Sequence, residues 1–161
     1  MRLTIILFFI IVTTSSCHFF EPRDTSYDTP IKSLTQLNNL TGSWKATAET
    51  YELLKQRKYK VDSMSLVFRN DSTFVITNLP DCINDGFGES IDGKLYKVAG
   101  KWSVQKNKRD WEIEMAFDKN ELFQAKTYMN FDIAITDSIY QLYWYLGDPD
   151  DAEPITFEKP I

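Results

Sequence analysis

Apolar and polar residues alternate along this chain in short segments, and this pattern constrains the fold more than any other feature. Segments with the alternation begin near residues 44, 63, 74, 96, 111, 128, 140 and 155. Successive side chains of a β-strand point to opposite faces, so each segment predicts a strand with one apolar face. Turn-forming residues at 69–72, 106–110 and 136–138 separate several of them. The pattern therefore predicts about eight strands that are joined mostly by short turns.

We expect an all-β domain over 33–161, built as an antiparallel up-and-down eight-stranded barrel that buries its apolar face. Closure of a barrel also removes the edge strands that would otherwise aggregate. Leu34, Leu37 and Leu40 recur at intervals of three, which predicts a short helical or 3₁₀ turn before the first strand. We expect that strand at 44–51. Segment 52–62 fits either a charged continuation of a hairpin or one turn of helix.

The N-terminus has the pattern of a targeting sequence. Arg2 precedes an apolar block at 3–12 that only Thr4 interrupts. A membrane-spanning helix needs about 20 apolar residues, so this block is too short to span a bilayer, whereas it matches the apolar core of a secretory signal. Small residues at 13–16 then lead to Cys17. We predict a signal peptide at 1–16 and a tether at 17–32.

This segment resembles the signal of bacterial lipoproteins, in which the Cys that follows the cleavage site is acylated. The resemblance implies lipidation of Cys17 with chains such as palmitate and export to a bacterial cell envelope. The membrane would be a partner through this anchor, and we expect it to be the outer membrane. Two acyl chains anchor a protein stably, whereas one alone is marginal.

The chain is acidic, and removal of the signal peptide makes it more so. Residues 1–16 contain Arg2 as their one charged residue, so the formal net charge changes from −5 to −6. Nucleic-acid binding needs a basic surface, so we expect no nucleic-acid partner. Cys82 has no intramolecular disulfide partner if Cys17 is acylated. It is then either a buried small residue or a reactive thiol.

The start of the first strand, Leu40-Thr41-Gly42-Ser43-Trp44, resembles the Gly-x-Trp opening of lipocalins, in which the Trp plugs the closed end of an eight-stranded barrel. The chain is similar to lipocalin-like lipoproteins of Bacteroidetes-type bacteria in this strand and in its Gly-Asp-Pro-Asp turn at 147–150 before Phe-Glu-Lys at 157–159. Lipocalins carry an Arg near the C-terminus that stacks on the Trp, and Lys159 is the basic residue found there. The resemblance implies a calycin-like barrel.

Residues that support catalysis are scarce. His18 is the one His and lies beside Cys17, outside the domain, which argues against Ser–His or Cys–His nucleophiles and multi-His zinc sites. Acidic residues cluster at 81–92 and 148–153, but they lack the spacing of a calcium loop, and nothing fixes a carboxylate pair at a catalytic distance. We expect no enzymatic activity, no metal and no cofactor.

Our leading hypothesis is a membrane-tethered protein that binds a small apolar or amphipathic ligand in its barrel. Small residues expected to face inwards, Ala46, Ala48 and Thr50, would leave room beside Trp44. An eight-stranded barrel is wide enough either to be filled by side chains or to hold one small ligand, so volume alone does not decide. The ligand-contacting walls would be formed by Trp44, Tyr96, Trp102, Trp111, Phe131 and Trp144.

The alternative hypothesis is a filled barrel that acts as a protein-interaction module, for example an inhibitor, an immunity protein or an envelope-assembly subunit. Its partner, an envelope protein, would contact the long irregular stretch at 78–93 through Asp81, Asp85 and Glu89. The partner would also contact the outer face of the strand near 140, where we expect Tyr143 and Tyr145 to be exposed. Exposed Tyr side chains give contact area at a low cost in entropy.

Overall fold

The computed structural model describes residues 31, 33–84, 92–107, 111–146 and 153–161. Eight antiparallel strands form a closed barrel in which each strand pairs with the next and β8 pairs with β1. The predicted all-β, up-and-down eight-stranded barrel is confirmed. The strands are β1 (Gly42–Ala46), β2 (Ser65–Phe68), β3 (Thr73–Pro80), β4 (Leu95–Lys106), β5 (Trp111–Phe117), β6 (Thr127–Thr136), β7 (Ile139–Tyr145) and β8 (Pro154–Pro160).

Three helical segments accompany the strands. A 3₁₀ helix at Leu34–Leu37 precedes β1, which confirms the short helical turn predicted from the spacing of leucines. The α-helix α1 spans Ala48–Gln56 between β1 and β2. A second 3₁₀ helix at Asp81–Asn84 follows β3. The signal peptide, Cys17 and nearly all of the predicted tether lie outside the described residues.

The antiparallel order gives the barrel two distinct ends. The odd-numbered strands begin at the end that we call the Trp44 end. Trp44 is fully buried there, and its indole N–H donates to the carbonyl of Leu40 at 2.8 Å. The Tyr140 hydroxyl donates to the carbonyl of Gln36, which holds the first 3₁₀ helix across this end. Gly42 has a φ of 111°, a conformation that favours glycine.

The opposite end, which we call the α1 end, corrects one sequence prediction. The strand expected at 44–51 stops at Ala46, and α1 begins two residues later. Thr47 is the N-cap of α1, because its hydroxyl accepts a hydrogen bond from the backbone N–H of Thr50 at 3.3 Å. Ala48 and Thr50 therefore belong to a helix. The expectation that they face inwards on a strand and leave room for a ligand beside Trp44 is wrong. Of the two alternatives for 52–62, the helical one holds as far as Gln56.

The seam between β1 and β8 is short, with register pairs at Lys45–Glu158 and Ala46–Phe157. Beyond it, the Thr50 hydroxyl accepts from the backbone N–H of Thr156 at 2.8 Å and donates to the Thr156 carbonyl at 3.2 Å.

Next to β2, the Tyr51 hydroxyl accepts a hydrogen bond from the backbone N–H of Met64 at 2.9 Å. Met64 directly precedes β2, and its carbonyl still accepts a hydrogen bond from the backbone N–H of Ala46 in β1 at 3.3 Å. The two hydroxyls of α1 thus accept from the backbone N–H groups of Met64 and Thr156. Since buried backbone groups are costly when unpaired, these contacts stabilise the closure of the barrel.

We expect Thr50→Val to lower the free energy of unfolding by about 1–3 kcal/mol, because the buried N–H of Thr156 loses its partner while the side-chain shape is kept. Urea denaturation measures the change. The control is Thr77→Val, the same substitution at an exposed site, which should stay within about 0.5 kcal/mol of the unmodified protein. Equal stability of the two variants would refute the role assigned to Thr50.

Candidate functional site

The interior of the barrel is the first candidate site, and aromatic rings occupy its Trp44 end. The ring centroid of Phe68 lies 5.9 Å from that of Trp44 and 4.7 Å from that of Trp102. Tyr140 packs on the other side of Trp44 at 6.0 Å. The Lys159 ammonium lies 6.0 Å from the centroid of the Tyr140 ring, so this lysine packs beside the same aromatic cluster.

A second aromatic cluster fills more of the interior. Phe117 lies 5.0 Å from Phe74 and 4.7 Å from Phe123, measured between ring centroids. Trp144 lies 5.8 Å from Phe117 and 4.7 Å from Phe131. These contacts join β3, β5, β6 and β7 with the segment that links β5 to β6, so rings from different sides of the barrel meet.

The six predicted ligand-contacting residues divide into two groups. Trp44, Phe131 and Trp144 are buried in contact with other rings, whereas Tyr96, Trp102 and Trp111 are half-buried at the edges of the core. A side chain that lined a ligand-sized void would keep surface that no neighbouring atom covers. Inward-facing residues with no exposed surface include Leu66, Phe74, Ile76, Ile113, Met115, Phe117, Leu142, Ile155 and Phe157. The described interior is therefore filled by side chains.

The second candidate site is the stretch that follows β3, where Asp81 is 3% exposed. Its carboxylate accepts hydrogen bonds from the Tyr59 hydroxyl and from the backbone N–H groups of Asp92, at 2.7 Å, and Lys94, at 3.3 Å. The Asp81 N–H donates to the Lys94 carbonyl at 3.1 Å. We call this arrangement of Tyr59, Asp81, Asp92 and Lys94 the Asp81 clasp. It joins the two ends of the 82–91 segment.

The environment of Asp81 shifts its protonation equilibrium. Burial by itself would raise the pKa of the Asp81 carboxyl, but the hydrogen bonds from Tyr59, Asp92 and Lys94 outweigh burial and hold the pKa below its ordinary value of 3.8. The carboxylate is thus ionised at neutral pH and fully engaged inside the protein. Asp81 is therefore not exposed at the surface. Its contact with a partner stays a prediction.

Cys82 lies next to Asp81 and is fully buried as a free thiol. Its backbone N–H donates to the Tyr59 hydroxyl at 2.9 Å. Burial raises the pKa of the Cys82 thiol, which keeps it protonated and unreactive at neutral pH. Of the two alternatives for this residue, the structure supports the buried small side chain.

The outer tyrosine face differs from the sequence prediction. Tyr143 lies on the outward side of β7, opposite Asp132 and Thr156, yet it is only 4% exposed, so its expected exposure is wrong. Its hydroxyl donates to the Gln141 side chain, and α1 packs against β8 beside it. Tyr145 is half-buried. Asp85 and Glu89 lie outside the described residues.

The remaining candidate is a shallow groove along the exposed side of α1. It has a volume of about 320 Å³ and is lined by Ala48, Glu49, Glu52, Leu53 and Gln56. Successive members are one or three positions apart, which places them on one side of the helix. The groove carries two exposed carboxylates and lies at the α1 end, as does the Asp81 clasp.

Other kinds of site find no support among the described residues. No three His, Cys, Asp or Glu side chains in that part of the chain come together so that they could hold a metal ion. The longest helix described there is α1, and no helix in those ranges has the length and hydropathy needed to cross a membrane.

Comparison with protein-family models, with curated proteins and with solved structures found no significant match to this chain. Its function is therefore argued from its own residues. Sequence reasoning missed the part that Tyr59 plays in the Asp81 clasp. The available signal was an isolated aromatic residue in the charged stretch at 55–62, which indicates a buried side chain rather than a solvated turn.

We expect Asp81→Asn to lower the free energy of unfolding at pH 7 by about 1.5–3 kcal/mol, because charge-assisted hydrogen bonds are lost. The folded pKa is depressed, so this stabilisation is complete above the unfolded pKa of about 3.9 and declines as the pH falls below it. Urea titrations at pH 7 and near pH 3 should show the difference shrinking.

The matched control is Asp62→Asn, the same change at an exposed site, with an expected effect within about 0.5 kcal/mol. An Asp81→Asn effect that is as small as that of the control, or that is unchanged between the two pH values, would contradict the clasp.

Proposed function

We propose that the protein is an exported, lipid-anchored β-barrel that acts as a protein-interaction module and contacts its partner through its surface. The filled interior is the observation that carries this proposal. Drug-sized ligands occupy pockets of about 300 Å³ or more. Here, Phe117 contacts rings on three sides, at 5.0, 4.7 and 5.8 Å, in the region where such a ligand would lie.

Binding a small molecule inside the barrel would require these rings to separate. Interiors of proteins are packed as densely as organic crystals, and opening a void in one removes many dispersion contacts at once. The packing thus favours the second of the two functional hypotheses over a ligand held between Trp44, Phe131 and Trp144.

The α1 end is the surface that we assign to the protein partner. The Asp81 clasp ties the residues on either side of the 82–91 segment to each other. If this segment contacts the partner, the clasp holds its two ends in place on the barrel. The groove along α1 lies at the same end and adds Glu49 and Glu52. Because both carboxylates are exposed, they would suit a partner surface with Lys or Arg side chains.

The proposed location rests on the N-terminal sequence. A short apolar block, small residues and Cys17 follow one another in the order that lipoprotein signals require. We propose that Cys17 is acylated and anchors the barrel to a membrane of the bacterial cell envelope. We propose no catalytic role, because the domain from 33 onwards contains no His.

Native mass spectrometry of the protein isolated from its own membranes tests this function. We expect the mass of chain 17–161 with an acylated Cys17, either alone or with a second polypeptide, and no stoichiometric small molecule. A variant with Cys17→Ser should appear without the acyl mass and should leave the membrane fraction.

Two results would count against the proposal, and they are separable. A small apolar molecule bound one-to-one would favour the ligand-binding alternative. An unmodified Cys17 in the native protein would refute the anchor.

A further inference from the structure

Large exposed apolar side chains are concentrated at the Trp44 end of the barrel. Among the described residues, the large hydrophobic side chains that are mostly exposed are Leu34, Tyr128 and Ile161, at 53, 57 and 55%. Leu34 is in the 3₁₀ helix that crosses the Trp44 end. Ile161 lies at the same end, since its N–H donates to the Ser138 carbonyl in the β6–β7 turn at 3.1 Å. Tyr128 lies near the start of β6, at the α1 end.

The β4–β5 hairpin adds a half-buried apolar surface to the same end. Pairing of β4 with β3 stops at Lys101–Thr73, whereas its pairing with β5 continues to Lys106–Trp111. The hairpin thus extends past β3. Its inward face carries Trp102, Val104 and Trp111, all of which are half-buried and packed against the edge of the core. The Lys106 ammonium lies 5.3 Å from the centroid of the Trp111 ring.

The N-terminal chain joins the barrel at this end. Ile31 packs against the core directly before the first 3₁₀ helix, and it follows Cys17 by 14 positions (31 − 17). An irregular tether of that length spans about 20 Å, at roughly 5–6 Å × √n. A strand of seven residues is itself about 23 Å long. An anchor at Cys17 would therefore hold the Trp44 end closer to the bilayer than the α1 end.

The chemistry of this end matches a lipid surface. Trp side chains favour the boundary between hydrocarbon and water, since the ring is apolar and its N–H is polar. A Lys beside such a ring can place its ammonium among lipid phosphates while its methylene groups stay in apolar surroundings. Leu34 and Ile161 would insert next to them.

We propose that the Trp44 end of the barrel docks on the lipid surface, with Leu34, Trp111 and Ile161 in the interfacial region. This inference rests on the proposed acylation of Cys17, and it adds a fixed orientation to the tethered domain. The α1 end then points away from the bilayer and is free to meet an envelope protein. A tether that merely connected the barrel to its anchor would leave the barrel free to tumble.

The test places an environment-sensitive fluorophore at each end of the full-length acylated protein. Leu34→Cys and Ile161→Cys probe the Trp44 end, and Tyr128→Cys is the matched control, since its side chain has similar exposure at the α1 end. Cys82 is buried, so thiol reagents should label the introduced site. The labelled proteins are reconstituted into phosphatidylcholine vesicles with one fifth phosphatidylglycerol, with and without brominated acyl chains.

We expect brominated lipid to quench the labels at 34 and 161 at least threefold more than the label at 128. In the unlabelled protein, Trp111→Phe should reduce the quenching of tryptophan fluorescence. Equal, weak quenching at all three positions in protein that still floats with the vesicles would overturn the docking and leave the anchor intact.

Two further outcomes would also overturn the docking. If the labels at 34 and 161 have blue-shifted emission but are not quenched by brominated lipid, then the tether or another protein covers this end. Protein that fails to float and has an unmodified Cys17 would refute the anchor, and the docking with it.

Discussion

The ring of Phe117 contacts aromatic rings from three other parts of the chain, and the function that we propose for the barrel rests on this packing. The rings belong to Phe74, Phe123 and Trp144. An eight-stranded barrel has room for either side chains or one small ligand, and here aromatic side chains take that room. The partner that we propose would therefore contact the ends and the outer wall of the barrel.

The two ends are closed by different kinds of interaction. Aromatic packing around Trp44 closes one end, together with hydrogen bonds to the first 3₁₀ helix. The α1 end depends on polar groups. The buried polar residues within the described ranges are Thr47, Thr50, Asp81 and Thr156, and all of them belong to the β1–β8 seam or to the Asp81 clasp. Each makes hydrogen bonds, as buried polar groups must if the fold is to remain stable. This difference between the ends is consistent with our proposals that the Trp44 end meets lipid and that the α1 end meets a partner.

Much of the fold could be predicted because strand alternation depends on local sequence. The period of two placed eight strands correctly, and the leucine spacing placed the 3₁₀ helix before β1. The error at 47–51 arose because Ala48 and Thr50 also alternate with polar residues, as in a strand. The competing signals were helical: Thr47 as an N-cap and Glu49 in the first turn, followed by the adjacent buried Leu53 and Leu54.

The site was less predictable, since it depends on contacts between distant segments. Asp81 is buried because Tyr59, 22 positions earlier in the chain, reaches its carboxylate. Alternation correctly put Tyr143 on the outward face of β7, but it carries no information about what packs over that face. Whether the interior is filled or holds a cavity could not be predicted either, because it depends on how rings from several strands pack together.

Xenon binding in crystals of the protein tests the filled interior most directly. Xenon enters apolar voids that water leaves empty, so it reports on space that a ligand could use. We expect no xenon between the Trp44 and Phe117 clusters of the unmodified protein. As a positive control, Leu142→Ala removes part of a fully buried inward-facing side chain and should create a site. A well-occupied xenon position inside the unmodified barrel would show that side chains do not fill the interior.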